Sequence, residues 1–158
     1  MKKLLVLLGI IAALIVAGIS GQIGREVGKS TFAASKLSAQ EVEAKLVEGL
    51  KIAANQFNQK LPMMLDSNTR LDRATVGPGV RMVYHHTLPG YTSKDIDSNL
   101  LRNTLRPEVM RNVCSSSEMK KSLQFGGIYA YAYYGSDGVE IAQFEIDRSD
   151  CGFSKISP

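Results

Sequence analysis

His85-His86 is the histidine pair of this sequence, and imidazoles are the side chains best suited to bind a metal or move protons near neutral pH. Adjacent strand residues point to opposite faces, so the two rings cannot chelate one ion together. No neighbouring sequence orients either ring as a general base. Asp66-Ser67-Asn68 opens like a calcium loop, but Arg70, Leu71 and Gly77 stand where that loop needs a ligand, a glycine and a closing glutamate. It reads as a turn in which Asp66 and Asn68 bond local backbone. Ser115-Ser116-Ser117 lies in no G-x-S-x-G setting and suits helix capping better than nucleophilic attack. The glycines at 77, 79, 126, 127, 135 and 138 never precede Lys-Ser/Thr as a phosphate loop requires. These patterns point to no metal, no cofactor and no catalytic constellation, and an enzyme is the disfavoured class.

Cys114 and Cys151 are the two cysteines, with no CxxC and no Cys/His cluster. In an exported domain such a pair most simply closes a disulfide; in a cytosolic one both would be ordinary buried thiols. The chemistry of the pair therefore depends on where the chain resides. Leu4 to Gly24 carries no charge and is flanked by Lys2, Lys3 and Arg25. As a helix, Leu4 to Ile23 would be about 30 Å long, enough to span the hydrocarbon core. A cleaved signal peptide is the alternative, although the run exceeds the usual apolar core of such peptides and offers no good A-x-A site. Gly9, Ala13, Ala17 and Gly21 recur every fourth residue, a stripe along which two membrane helices can approach; common Gly and Ala usage is the plainer explanation. The expected location is the inner membrane with the domain in the periplasm, or the periplasm or exterior after cleavage.

The formal charge is +4, of which Lys2, Lys3, Arg25 and Lys29 against Glu26 supply +3 before Ser30. A nearly neutral remainder cannot build the basic face that nucleic acid requires. The length allows one domain, at 37–158, after a 1–24 anchor or signal segment and a 25–36 tether.

The elements follow from periodicity. Ser38 and Glu41 form a capping box, with Leu37 and Val42 as a staple, ahead of a helix whose apolar stripe runs from Val42 to Leu61 and stops at Pro62. Thr69–Val76 and Val80–Leu88 read as a hairpin, Asp95–Leu105 as a helix, and Pro107 as the start of a short helix to Cys114. Ser115 with Glu118 offers another box. Ile128–Tyr134 and Val139–Ile146 flank a Gly135-Ser136-Asp137-Gly138 turn as a second hairpin. The fold class is α+β: an antiparallel sheet of about four strands, in two hairpins, with helices packed on one face and a transmembrane helix ahead of it. Tyr129, Tyr131 and Tyr133 share one strand face. With the alanines against a helix, these rings form an open aromatic binding face; in the opposite packing they cover the core.

The run LPMMLD-x-x-TRLD, a Y-x-x-T-L strand, a Cys-Ser helix end and a Y-x-Y…G-x-x-I-x-x-F-x-I…DC pattern resemble uncharacterised small Gram-negative envelope proteins with an N-terminal hydrophobic segment and a two-cysteine α+β domain. The resemblance covers about residues 60 to 151. It implies an exported domain with a Cys114–Cys151 bond and no assigned activity. The functional expectation is a membrane-tethered periplasmic interaction domain, an accessory subunit of a secretion, pilus or transport assembly. Its partners would be the lipid bilayer and another envelope protein, or a second copy met through the membrane helix. The alternative is a periplasmic enzyme or small-ligand binder using His85 or His86 in a cleft beside the sheet.

Overall fold

Ser38 caps the first helix as its sequence requires: its hydroxyl accepts from Glu41 N–H at 3.3 Å while the Glu41 carboxylate accepts from Ser38 N–H at 2.8 Å. Each such cap contributes on the order of 1 kcal/mol. A computed structural model describes residues 38–153. The proposed anchor, its Gly9-Ala13-Ala17-Gly21 stripe and the 25–36 tether lie outside these residues, and among the described residues no helix is long and apolar enough to cross a membrane.

The capped helix, α1, is Ala39–Asn58, with Leu46, Leu50, Ala53, Ala54 and Phe57 buried along one stripe. A two-residue strand, β1 (Met63–Met64), leads to β2 (Arg70–Gly77) and β3 (Arg81–Leu88). Helices α2 (Ser98–Ser115) and α3 (Ser117–Gln124) then carry the chain to β4 (Ile128–Gly135) and β5 (Glu140–Ile146). The strands form one sheet in the order β1-β2-β3-β4-β5. Both expected hairpins are present, but β3 and β4 run parallel, so the sheet is mixed and has five strands. The antiparallel expectation fails because two helices lie between the hairpins and return the chain to the end where β3 began, a crossover that fixes parallel neighbours.

α2 is one helix, not two: Asp97 caps it by accepting from Leu100 N–H at 2.7 Å, and Pro107 sits inside. The helix survives because Pro107 and Asn103 both lie on its exposed side, where water can satisfy the carbonyl that loses its partner. The cap of α3 is Ser116, one residue beyond the box expected at Ser115.

One face of the sheet meets all three helices. α1 lies over β2 and β3, and α2 over β5. β4 runs between their tracks, and the broad space above it is filled by tyrosine rings. Cys114, near the end of α2, is bonded to Cys151 after β5, with Cα atoms 5.3 Å apart. Gly135 packs so tightly that a Cβ there would strike the backbone of Thr92 and Ser93.

Candidate functional site: the open sheet face

Register fixes which side chains share a face. Met82, Tyr84 and His86 of β3 stand beside Tyr129, Tyr131 and Tyr133 of β4, and these beside Ile146, Phe144 and Ala142 of β5. This is the core face. Tyr129, Tyr131 and Tyr133 are only 6%, 6% and 4% exposed, which corrects the expected open aromatic surface. The reason is volume: aromatic rings reach into the gap between α1 and α2, whereas alanines there would leave it empty. Burial raises the phenol pKa values, that of Tyr129 to about 12 and that of Tyr131 well above its usual value.

His86 is part of the same stack. Its ring lies 4.7 Å from that of Tyr133, centroid to centroid, and is 5% exposed. Desolvation pushes its pKa down to about 4, so the imidazole is neutral at physiological pH. Nδ1 of His86 and the Tyr131 hydroxyl are buried without hydrogen-bond partners. His86 is a core group with no opening to a substrate.

The opposite face carries the other parity. Its rows are Thr75, Val83, Ala130 and Glu145; then Arg73, His85, Ala132 and Gln143; then Arg70, Thr87, Tyr134 and Glu140. No described element packs over it. His85 is its polar centre, with Nε2 2.8 Å from Thr75 Oγ1 and Nδ1 3.4 Å from the Tyr134 hydroxyl. Partial burial and the positive charge of Arg73 lower the His85 pKa against the opposing pull of Asp72 and Glu140. Burial, then the charge of Glu140, raises that of Tyr134. Asp72 is engaged by Arg70 and the Thr87 hydroxyl. Arg81 pairs with Glu145 at 3.3 Å, across β4. The His85–Tyr134 stack and the Arg81–Glu145 pair thus lie to either side of Ala130 and Ala132, which are fully covered although they belong to this face.

Thr75 beside His85 has the outline of a hydroxyl and a base, but the array lies on a sheet surface and its third member is a neutral phenol. No group of three or more His, Cys, Asp or Glu that could hold a metal exists among the described residues. The arrangement is suited to recognition: a flat surface with an alanine-floored centre, fixed hydrogen-bonding groups and charged borders.

Side chains from the helices engage both edges of the sheet at particular points. At the β2 edge, Asn58 Nδ2 donates to the Ala74 carbonyl at 2.8 Å and its Oδ1 accepts from Ala74 N–H at 2.7 Å. At the β5 edge, Arg102 and Arg106 of α2 donate to the carbonyls of Gln143 and Glu145 at 3.2 and 3.4 Å. Sequence reasoning missed Thr75 and Arg73, which the β2–β3 hairpin register sets beside His85, and Tyr134 and Glu140, whose approach depends on the parallel β3–β4 register. It found both partners of the disulfide.

The fold defines a small α+β domain with a five-stranded mixed sheet and helices on one face. No sequence family and no curated protein sequence matches this chain. Solved structures do share the fold. A candidate secreted protein of Pseudomonas aeruginosa matches with a TM-score of 0.59 and 19% identity, over 69% of this chain and 95% of that one. The pilotin EpsS from the Vibrio vulnificus type 2 secretion system gives 0.57 and 15%, over 71% and 96%. The type II secretion pilotin AspS from Vibrio cholerae gives 0.54 and 14%, over 71% and 97%.

Proposed function

We propose that this chain is a cell-envelope accessory protein serving a multisubunit assembly, with secretion machinery the first candidate. The hydrophobic N-terminal segment holds the domain at the inner membrane, and the domain works in the periplasm by docking a protein partner on its open sheet face. The observation that carries this reading is the fold shared with two secretion pilotins over 71% of the chain. The Cys114–Cys151 bond agrees with an oxidising compartment. Helix side chains already occupy part of each edge, which weighs against strand addition and favours the open face as the docking surface.

The small-ligand alternative now rests on His85 with Thr75 and Tyr134, since His86 is in the core. Envelope complexes compared by quantitative proteomics, with and without the gene, separate the two. The accessory reading expects one secretion-type or pilus-type assembly to lose subunits together. Unchanged levels of every such assembly would remove it.

A further inference from the structure

We infer that the open face is self-complementary and pairs with the same face of a second copy of this chain, about a two-fold axis parallel to the strands. The inference rests on reading that face as a docking surface and the N-terminal segment as an anchor, and it names the occupant.

Charge is distributed unevenly across the face. Arg73 stands on β2 and Glu140 on β5, three strands apart, and both are exposed. The other charges of the face are matched at home, Arg70 with Asp72 and Arg81 with Glu145. Arg73 and Glu140 have no ion-pair partner among the described residues. Strands spaced about 4.8 Å apart put some 14 Å between the backbones of β2 and β5, and within one copy the two charges act on His85 and Tyr134 between them without forming an ion pair.

A dyad parallel to the strands lays β2 of one copy over β5 of the other and keeps the rows in step. Arg73 then faces the partner copy's Gln143 and has the partner copy's Glu140 on the diagonal, one row away, at both borders. The same operation sets Val83 of β3 over the partner copy's β4, where Ala130 and Ala132 leave room for its branched side chain. The other in-plane dyad, perpendicular to the strands, lays β2 on β2 and β5 on β5, setting like charges together.

Anchoring selects the same axis independently. α1 starts beside the β2–β3 turn, where Glu43 approaches Gly79, and ends beside Ala74 in mid-strand. A strand-parallel dyad therefore leaves both Ser38 ends on one side, as two chains held in one membrane must be; the perpendicular dyad sends them to opposite sides. Four strands and three rows make a patch of roughly 19 by 20 Å. That is below the ~800 Å² per partner of a standard interface, so the pair is weak in solution and forms where a shared membrane raises the effective concentration.

The test uses the full chain in vesicles of phosphatidylethanolamine and phosphatidylglycerol, with photoreactive benzoylphenylalanine in place of Val83. Irradiation should give an adduct of doubled mass whose crosslinked peptide contains Ala130 and Ala132. Arg73→Glu alone or Glu140→Arg alone should lower its yield about tenfold, and the two together should restore it. Melting curves matched to the parent protein show that these exposed substitutions leave the fold intact. Absence of the self-adduct, or a self-adduct indifferent to the charge exchange, overturns the inference. In cells, an adduct from Val83 to a different envelope protein also overturns it while leaving the accessory reading in place. No adduct of either kind overturns both.

Discussion

Asn58 clasps Ala74 in both directions, donating to its carbonyl and accepting from its N–H, so that the last turn of α1 acts as one residue of a missing sixth strand. A helix end does here what a neighbouring strand would do. Asn58→Ala removes both bonds at a part-buried edge and should lower stability by about 2 kcal/mol in urea unfolding. Asn58→Asp keeps an acceptor for Ala74 N–H but turns a carboxylate toward the Ala74 carbonyl, and should also destabilise. A loss under 0.5 kcal/mol in both variants would show that the clasp contributes little.

The Cys114–Cys151 bond closes a loop of sequence separation 37, tying the end of α2 to the segment after β5. Loop-closure entropy alone gives about 4 kcal/mol, with a usual range of 2–4. Cys114→Ser, Cys151→Ser and the double variant should therefore lose similar amounts of stability, and reductant should affect the parent protein only. Unequal losses, or unfolding midpoints that do not move, would contradict the assignment.

His86 makes the acid side of the stability profile predictable. Its folded pKa of about 4 lies below its unfolded value near 6.5. Between those values the unfolded chain takes up a proton that the buried imidazole refuses, so stability is complete above about pH 6.5 and falls as the pH drops toward 4. The shift corresponds to a loss of roughly 3 kcal/mol at most. His86→Phe, which keeps a ring against Tyr133, should make the profile shallower across that window, leaving the share that His85 contributes. His85, whose pKa is lowered as well, adds a fall of the same sign across this window, and Glu41, held below its ordinary 4.5 by its bonds to Ser38, begins to lose its contribution at the acid end; Asp95, Asp137 and Asp147, lowered by bonds to Thr92, Ser93 and Ser149, lose theirs mainly below it. A parent protein equally stable at pH 7 and pH 4.5 would refute a neutral buried His86.

Local signals in this sequence were legible where the physics is local. The Ser38–Glu41 box, the apolar stripe of α1, the two hairpins and the cysteine pair are written in short spacings. The face of the tyrosine run was not, because period two identifies the two faces of a strand without saying which one a helix will cover. That choice depends on the parallel β3–β4 register and on the width of the gap between α1 and α2, both set by residues far apart in the chain. The same non-local register hid Tyr134 and Glu140 as neighbours of His85, while Thr75 and Arg73 depended on the exact pairing within the β2–β3 hairpin, including its irregularity between Leu71 and Arg73. Pro107 misled for the opposite reason: a strong local breaker was overridden by the apolar stripe of Leu101, Leu105, Val109 and Val113, which is buried on both sides of it.

The account turns on which surface of the domain meets its partner. Crosslinking in intact cells from Thr75, Val83 and Gln143 on the open face, against Ile52 and Leu100, exposed apolar residues on the helices, measures that directly. The account predicts adducts from the three sheet positions and none from the two helix positions. Adducts confined to Ile52 or Leu100, with the sheet positions silent, would contradict it.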